Sequence, residues 1–320
     1  MVSSGPLVSV VCLCYNQRRW VEEAIESVLR QTYANIEIVL ADDASTDGSQ
    51  AVIGEIKEQH PHITVLLSAI NRGNCAAFNA ALRKTKGEFV VDFSADDIMR
   101  PDRIEKQVRK FGELDESYGV VFTDAEYVDD EGKRIRSHYA WLRKKGLLKV
   151  VPEGDVYRDI LTRYFIAAPT MLVRRTVFDK LGGYDESLSY EDFDFWVRSS
   201  RDFKYAFLDE PLTLIRRTGQ SMSTRLYKRG DRMLHSTYEV CRKAVELCRD
   251  EDDRKALVHR VRYEFRQSVL SDNRNEAILF YELLKELDAL SPADRIFGAI
   301  NRLKFPMKGI RRLYHAIRYQ

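Results

Sequence analysis

Short runs of apolar residues early in the chain indicate strands that are buried on both faces. The three strongest are Leu7–Cys14 (LVSVVCLC), Ile36–Ala41 and Glu88–Phe93, and a weaker strand is predicted at Thr64–Ser68. In Leu7–Cys14 the apolar residues are nearly continuous and rich in valine. This pattern is typical of parallel strands covered by helices on both sides of a sheet.

Helical patterns lie between these strands. From Trp20 to Arg30 the apolar residues recur at three- and four-residue spacing, and Ala51–Gln59 and Cys75–Thr85 are predicted as the next two helices. With the charged helix predicted at Asp102–Leu114 after the fourth strand, strand and helix therefore alternate four times. This alternation predicts an α/β fold with a mostly parallel, Rossmann-like sheet that is flanked by helices and connected by right-handed crossovers.

The pattern changes after about residue 115. Strands are predicted at 120–128, 205–208 and 212–216, and the basic segment Tyr139–Pro152 is predicted to be a mobile loop over a site. From about Lys228 onward the pattern is helical and highly charged, which predicts a C-terminal helical appendage. The predicted domains are therefore residues 1–225, divided into halves 1–115 and 116–225, and residues 226–320.

Composition excludes several classes of function. The chain has 320 residues and a formal net charge of +2, so it has no general attraction for nucleic acid. Its five cysteines are too few and too scattered for a disulfide framework. No apolar run reaches membrane-spanning length, and the N-terminus lacks the pattern of a signal peptide. We therefore expect a protein of the reducing cytoplasm.

Adjacent acidic residues follow two of the predicted strands. Asp42 and Asp43 come after the second strand, and Asp96 and Asp97 come after the fourth. Open α/β sheets bind ligands at the carboxyl ends of their strands. Two neighbouring carboxylates repel each other unless a cation or a sugar hydroxyl group holds them. The alternative is that these residues are solvated turn acids that cap helices.

A third acidic pair, Glu191 and Asp192, lies at a later predicted helix start. The sequence has no glycine-rich phosphate-binding motif. A protein without one can neutralise a nucleotide diphosphate with a divalent cation, and Asp96 and Asp97 suit that task. Asp43 is a hydrogen-bond acceptor for a base or ribose. The late pair is a candidate general base, although acids at a helix start also favour the macrodipole.

Five stretches across about the first 225 residues together resemble the family 2 glycosyltransferases of the GT-A fold. They are SVVCLCYNQ (Ser9–Gln17), DDASTDGS (Asp42–Ser49), NRGNCAAFNAAL (Asn71–Leu82), SADD (Ser94–Asp97) and GGYDESLSYEDFDFW (Gly182–Trp196). The resemblance implies a GT-A domain over 1–225, with a nucleotide-sugar-binding half, 1–115, and an acceptor and catalytic half, 116–225.

The resemblance also implies a reaction, the inverting transfer of a sugar from a nucleoside-diphosphate sugar to an acceptor hydroxyl group. A UDP-sugar is the favoured donor, and a saccharide or lipid-linked saccharide is the expected acceptor. The expected process is the synthesis of a bacterial surface polysaccharide, lipopolysaccharide or glycoconjugate. By position, Tyr15 would stack on the nucleobase, Asp43 would hydrogen-bond it, and Asn16 would face the same ligand.

The acidic residues receive their roles from the same resemblance. Asp97 would be the direct ligand of Mn²⁺ or Mg²⁺, and Asp96 would contact the ribose or share the metal. The catalytic base of the family corresponds most often to Asp192. The offset from Trp196 varies among members, so Glu191 is the second candidate.

The sequence departs from the family pattern at three positions. Ser94 stands where the metal motif often begins with an aspartate. Phe78 replaces a common arginine, and Arg72 is expected to hold phosphate instead. Thr218 stands where many members have a histidine near the diphosphate. The candidates for that phosphate-binding role are Arg216, Arg217 and Ser221.

One other class of function remains open, and the sequence argues against a further one. A non-catalytic nucleotide-sugar-binding or scaffold protein would have the same fold but no need of Glu191 and Asp192. A nucleotidyltransferase on a similar sheet would have a glycine-rich loop near the N-terminus, which Leu7–Gln17 lacks.

The C-terminal tail is basic and amphipathic. After Asp294 the chain has no acidic residue, and basic and apolar residues interleave at helical spacing over 295–318. Such a segment can lie in the interface of an anionic membrane, which would bring a cytoplasmic enzyme to the inner face of the plasma membrane. The alternatives are that the stripe packs on the helices from Lys228 to Leu290, or that it joins two copies of the chain in a homo-oligomer.

Overall fold

The computed structural model describes residues 5–218, 227–303 and 307, which form two compact units. The first unit comprises the described residues up to Val156 together with Phe165–Ser187 and Asp202–Thr218. The second comprises Tyr157–Tyr164, Leu188–Arg201 and the described residues from 227 onward. The predicted domain boundary at 225/226 lies outside the described residues and stays a prediction.

The first unit contains the described strands. They are β1 (Val8–Cys14), β2 (Ile36–Asp42), β3 (Thr64–Leu67), β4 (Phe89–Ser94), β5 (Ile98–Met99), β6 (Tyr118–Val128), β7 (Arg134–Ser137), β8 (Leu172–Arg174) and β9 (Lys204–Arg216). They form one sheet in the order β3-β2-β1-β4-β8-β6-β9-β5, with β7 paired to β6. The pairs from β3 to β4 are parallel, β8 is antiparallel to both its neighbours, and β9 is parallel to β6. The predicted α/β fold is confirmed.

Helices flank the sheet in the first unit and make up most of the second. Those of the first unit are α1 (Val21–Leu29), α2 (Ser49–Gln59), α3 (Asn74–Leu82), α4 (Arg103–Gly112), α5 (His138–Lys144) and α7 (Arg175–Leu181). Those of the second are α6 (Tyr157–Thr162), α8 (Asp192–Ser199), α9 (Arg232–Leu247), α10 (Glu251–Leu270), α11 (Arg274–Glu286) and α12 (Pro292–Arg302). No helix in residues 5–218 and 227–303 is long and apolar enough to cross a membrane.

Burial of the central strands fixes the register that aligns the site. Every residue of β1 is buried, and the apolar faces of α1 and α2 pack in the same core. A slip by one residue would exchange the side chains on the two buried faces of β1 and so disrupt their packing against the helices on each side. In the register that results, Cys14 is opposite Asp42 and Leu13 is opposite Ser94. The strands β1, β2 and β4 therefore end at one edge.

Two local predictions are corrected by the structure. The segment Tyr139–Pro152, predicted as an irregular loop, contains most of α5, which begins where the Ser137 hydroxyl accepts the Ala140 N–H at 3.3 Å. The two late strands are one continuous strand, β9. The pairing of β9 with β6 shifts register at Pro211, and such an irregularity accommodates a residue that has no N–H for the ladder.

Side-chain caps fix the helix starts in the second unit. The Asp250 carboxylate accepts the N–H groups of Asp252 and Asp253, which are two of the unsatisfied donors at the start of α10. At the start of α12, Ser291 and Asp294 form a reciprocal capping box. The long charged helices predicted after Lys228 are therefore confirmed within the described residues.

Candidate active site

The loop after β1 carries the first predicted ligand contacts. The Tyr15 side chain is 50% exposed, so its ring is available to a flat partner. Asn16 has φ +55°, a left-handed conformation that asparagine tolerates better than most residues, and its Oδ1 accepts the Thr46 N–H at 2.8 Å. Asn16 therefore holds this loop to the loop after β2, while Tyr15 faces outward.

Asp43 lies directly after β2 and is held by backbone groups. Its carboxylate is only 5% exposed and accepts the N–H groups of Arg72 at 2.9 Å and Gly73 at 2.8 Å. Gly73 has φ +88° and immediately precedes α3, so the carboxylate is fixed at the start of that helix. The Arg72 residue is exposed, so its side chain lies at the surface beside Asp43.

The acidic turn is the segment Ser94–Asp97 at the end of β4. The Ser94 hydroxyl donates to Asp96 Oδ1 at 2.5 Å and accepts from Gln17 Nε2 at 3.1 Å. Ser94, which replaces the first aspartate of the family motif, is therefore a bridge between the β1 loop and Asp96. Gln17 belongs to the first of the five motif stretches, but sequence reasoning assigned it no role.

The two carboxylates of the acidic turn differ in accessibility. Asp97 is 3% exposed, and its Oδ1 accepts the Arg216 N–H at 2.9 Å, whereas Asp96 is only partly buried. Burial raises the pKa of Asp97 well above its usual value, and the charge of Asp96 raises it further. Burial also raises the pKa of Asp96, although the hydrogen bonds from Ser94 and Gln17 act in the opposite direction and lower it. Two ionised carboxylates here would repel each other, so the turn favours a cation.

Arg216 braces the acidic turn from the end of β9. Its guanidinium donates to the carbonyl of Asp96 at 3.0 Å and ion-pairs with Glu23 at 2.7 Å. It also donates to the carbonyls of Asp129 and Asp130 at 3.1 and 3.0 Å. The residue is only 4% exposed. Because the guanidinium is buried and engaged, the predicted phosphate contact of Arg216 has no support in this geometry.

The oxygen donors of the acidic turn fit a small divalent-cation site. Within residues 5–218 and 227–303, no group of three or more His, Cys, Asp or Glu side chains is arranged to hold a metal. Mg²⁺ sites, however, commonly use one or two carboxylates and complete their shell with water and substrate phosphates. Asp96 and Asp97 match that donor set. Asp96 is the more accessible of the two.

The other departures from the family pattern have different outcomes. Phe78 is fully buried, and its ring centroid lies 5.2 Å from that of Phe178 and 4.3 Å from that of Tyr184. An apolar core therefore occupies the place of the family's arginine. Thr218 is buried, and the candidate Ser221 lies outside the described residues.

Glu191 and Asp192 belong to the second unit, at the start of α8. Both are partly buried, and Asp192 is the first helical residue. The residues just before them are bonded to α9. The Ser189 N–H donates to the Ser236 hydroxyl at 2.8 Å, and the Tyr190 hydroxyl is 2.7 Å from that of Thr237.

The segment after the acidic pair is bonded to the same helix. The Asp194 carboxylate is 1% exposed and ion-pairs with Lys243 of α9 at 2.7 Å and with Arg198 at 2.6 Å. Contacts on both sides of the pair therefore fix the start of α8 on α9. Sequence reasoning identified the acidic pair but did not predict that the C-terminal helices would position it.

The mostly parallel sheet with its flanking helices has the architecture of the GT-A fold. Residues 9–182, more than half of the chain, match the family described as Glycosyl transferase family 2. The chain belongs to this family.

Curated relatives match over part of their length. An uncharacterised glycosyltransferase of Rickettsia prowazekii is 30% identical over 198 residues, which are 62% of this chain and 59% of the relative. The chondroitin synthase of Escherichia coli is 28% identical over 197 residues, 61% of this chain and 26% of the relative. The chain thus matches about three fifths of the first relative's length and a quarter of the second's.

Solved structures share the fold over nearly the whole chain. S. aureus TarS 1–349 in complex with UDP-GlcNAc has a TM-score of 0.70 at 17% identity, covering 97% of this chain and 92% of that one. The mannosyltransferase PcManGT of Pyrobaculum calidifontis, in complex with GDP-Man and Mn²⁺, has a TM-score of 0.62 at 18% identity, covering 99% and 85%. At these identities the likeness establishes the GT-A fold.

Proposed function

We propose that this chain is an inverting, divalent-metal-dependent glycosyltransferase. It moves a sugar from a nucleoside-diphosphate sugar, with a UDP-sugar favoured, to an acceptor hydroxyl group. The observation that carries the proposal is the acidic turn, where Asp96 and Asp97 end β4 and are fixed by Ser94 and Arg216. The UDP-GlcNAc bound by TarS and the GDP-Man and Mn²⁺ bound by PcManGT support this assignment.

The donor site would use the ends of β1 and β2. The exposed Tyr15 ring is suited to stacking on a nucleobase, and the loop that Asn16 holds would border the same ligand. Asp43 has two carboxylate oxygens, each with lone-pair capacity beyond its backbone bond, so it can accept from a base or ribose. The exposed Arg72 would reach the phosphates.

Asp96 and Asp97 would hold the metal. The resemblance implied Asp97 as the direct ligand, but we assign the direct contact to Asp96 because it is the more accessible, and the more buried Asp97 would act behind it. A bound divalent cation supplies charge stabilisation to the leaving diphosphate. Arg216 is then a positioning residue, since its guanidinium donates to the Asp96 carbonyl and its N–H to the Asp97 carboxylate.

The general base would come from the start of α8. Asp192 is the first choice and Glu191 the second, and either carboxylate would remove the proton of the attacking hydroxyl group. The bonds from Ser189 and Asp194 to α9 would hold the base steady during the reaction. A non-catalytic nucleotide-sugar-binding protein is the alternative, although such a protein would have no use for a fixed carboxylate here.

The acceptor is proposed to be a saccharide or a lipid-linked saccharide in surface polysaccharide or glycoconjugate synthesis. The relatedness to a chondroitin synthase, a polysaccharide-forming enzyme by name, supports this class. We place the enzyme in the cytoplasm, at the surface of an anionic membrane.

The membrane contact would use the tail at 295–318, of which 304–306 and 308–318 lie outside the described residues. In α12, Phe297 packs against Phe265, with ring centroids 6.5 Å apart. Ile296 and Leu303, seven residues apart, are 60% and 80% exposed. One side of α12 therefore packs within the second unit, while two large apolar side chains face solvent.

Turnover of a panel of nucleotide sugars tests the proposed function. UDP- and GDP-sugars are incubated with the protein in Mn²⁺ or in chelator, and released nucleotide is measured. At least one donor should be consumed, faster with Mn²⁺, and NMR of a transferred product should show the inverted anomeric configuration. Tight nucleotide binding without turnover of any donor or acceptor would favour the non-catalytic alternative. Retention of configuration would contradict the inverting mechanism.

A further inference from the structure

A group of arginine and aromatic side chains lies beside the acidic turn in the first unit. We call Arg136, Arg217, Tyr127 and Trp141 the arginine–aromatic cluster. The Arg136 guanidinium carbon is 3.9 Å from the centre of the Trp141 ring and 4.9 Å from that of Tyr127. The Arg217 guanidinium carbon is 4.3 Å from the same Tyr127 ring. The guanidinium groups of Arg136 and Arg217 therefore both make cation–π contacts with the Tyr127 ring.

The backbone places the cluster at the carboxyl ends of two strands, the edge at which open α/β sheets bind ligands. Strands β6 and β9 are parallel, and Tyr127 pairs with Ile215 near their carboxyl ends. Tyr127 is also opposite Arg136 on β7. Arg217 directly follows Arg216, and its N–H donates to the Val128 carbonyl at 2.8 Å. The cluster therefore begins one residue beyond the arginine that braces the acidic turn, in the half of the domain expected to take the acceptor.

A buried histidine fixes the tyrosine that both arginines contact. His138 Nε2 is 2.8 Å from the Phe165 carbonyl, which can only accept, so this nitrogen carries the proton. Burial lowers the pKa of His138, and the charges of Arg136 and Arg217 lower it further. The ring is therefore neutral, and its Nδ1 accepts from the Tyr127 hydroxyl at 3.0 Å. This contact prevents Tyr127 from turning away from the arginines.

Arg136 has stacking partners but no oxygen partner. Within residues 5–218 and 227–303, its guanidinium makes no hydrogen bond or ion pair, although the residue is partly buried. Burial and the nearby charge of Arg217 both lower the pKa of Arg136. By contrast, Arg134 on the same strand ion-pairs with Glu126 at 3.2 Å. A guanidinium fork presents N–H donors that match the two oxygens of a carboxylate or phosphate.

We propose that the arginine–aromatic cluster binds an oxyanion, a carboxylate or phosphate, carried by the acceptor. This inference rests on the proposed function, because it makes the reaction selective for acidic acceptors such as uronic acid-containing or phosphate-bearing saccharides. Arg136 supplies bidentate donors, Arg217 adds the second positive charge, and the Trp141 ring holds the Arg136 guanidinium in place.

Fluorine NMR of the full chain labelled with 5-fluorotryptophan tests this site without a known acceptor. The chain has three tryptophans, and the Trp141→Phe variant assigns the resonance of interest. The probes are glucuronic acid, glucose 6-phosphate and neutral glucose, titrated at constant ionic strength. Both anionic sugars should shift the Trp141 resonance, and glucose should not.

Single arginine substitutions show which side chains bind the anionic sugars. Arg136→Gln should weaken binding of the anionic sugars about tenfold, the scale of losing a charge-assisted hydrogen bond, and Arg217→Gln, which removes only the second positive charge, should weaken it less. The matched control is Arg134→Gln, which removes an equal charge from the same strand at a residue already paired with Glu126. It should leave the titration unchanged.

Several results would overturn the proposal. They are equal shifts with glucose, no shift with any probe, undiminished binding in Arg136→Gln, or an equal loss in Arg134→Gln. Displacement of both anionic sugars by UDP would also overturn it, by assigning the cluster to the donor diphosphate. Donor turnover is measured separately. If no nucleotide sugar is consumed but the Trp141 shift persists, the proposed reaction fails while the oxyanion site stands.

Discussion

Substitution of Arg216 tests whether this residue positions the acidic turn or binds phosphate. The sequence suggested phosphate binding, whereas the structure shows the side chain holding the acidic turn in place. The perturbation is Arg216→Met, which keeps a long apolar stem but removes every guanidinium donor. In the folded protein that change leaves three carbonyls, those of Asp96, Asp129 and Asp130, without the donors they now have. The Glu23 carboxylate would simply hydrate, since its side chain is 51% exposed.

The expected loss of stability follows from those contacts. A hydrogen bond to a charged group contributes about 1.5–3 kcal/mol, and partial access of water to the three carbonyls reduces their sum to about 4 kcal/mol. For a unit of 150–250 residues this corresponds to a fall in melting temperature of roughly 8–16 °C. The control Glu23→Gln removes the charge of a half-exposed carboxylate but keeps an amide oxygen that can accept from the guanidinium, and the three carbonyl contacts stay, so its loss of stability should be smaller.

Thermal unfolding by circular dichroism and calorimetric UDP binding measure the two roles separately. If Arg216 positions the acidic turn, Arg216→Met should lower the melting temperature strongly and Glu23→Gln should lower it slightly. Arg216→Lys should have a melting temperature between those of Arg216→Met and the wild type. An unchanged melting temperature of Arg216→Met, together with much weaker UDP binding, would refute the brace and restore the phosphate-binding role.

Three further predictions concern other parts of the chain. Burial lowers the pKa of His138 in the folded state. The stability that the neutral ring contributes is therefore present above the unfolded-state pKa of about 6.5 and is lost as pH falls through the lower folded-state pKa. As pH is lowered from 6.5, the urea concentration at the unfolding midpoint should decrease in the wild type and decrease less in His138→Gln. Asp192→Asn should slow turnover by about 10²–10⁴-fold and leave donor binding intact. If Glu191→Gln causes the large loss of turnover and Asp192→Asn only a small one, Glu191 is the base. The full chain should float with anionic liposomes, more weakly in high salt, and a chain ending at Arg302 should not; equal flotation of both would contradict the membrane contact.

The parallel half of the sheet was predictable because its signal is local. The apolar residues of β1 and β4 reflect burial of these strands in the sheet, and the three- and four-residue spacing in α1 reflects burial of one face of that helix. By contrast, α5 was missed because its segment is basic and only Tyr139 and Leu142 in it are buried. The long β9 was predicted as two strands, at 205–208 and 212–216, and the residues between them include Pro211, where the pairing with β6 shifts register.

The residues of the candidate site that belong to sequence motifs were predictable. The contacts between residues far apart in sequence were not. The acids at the ends of β2 and β4 follow from their positions after buried strands. The brace made by Arg216 depends on Glu23, 193 residues earlier, and on carbonyls that no side-chain pattern reveals. The core position of Phe78 likewise depends on Phe178 and Tyr184, which are remote in sequence.

Binding of Mn²⁺ in the presence of UDP tests the central claim, that the acidic turn holds a metal–diphosphate group, most directly. The free Mn²⁺ signal in electron paramagnetic resonance is measured for the wild type and Asp96→Asn, with Arg134→Gln as a charge-changing control remote from the acidic pair in sequence. We predict that UDP makes the wild type and the control take up Mn²⁺, and that Asp96→Asn does not. Equal UDP-dependent uptake by Asp96→Asn, or none by the wild type, would contradict the account.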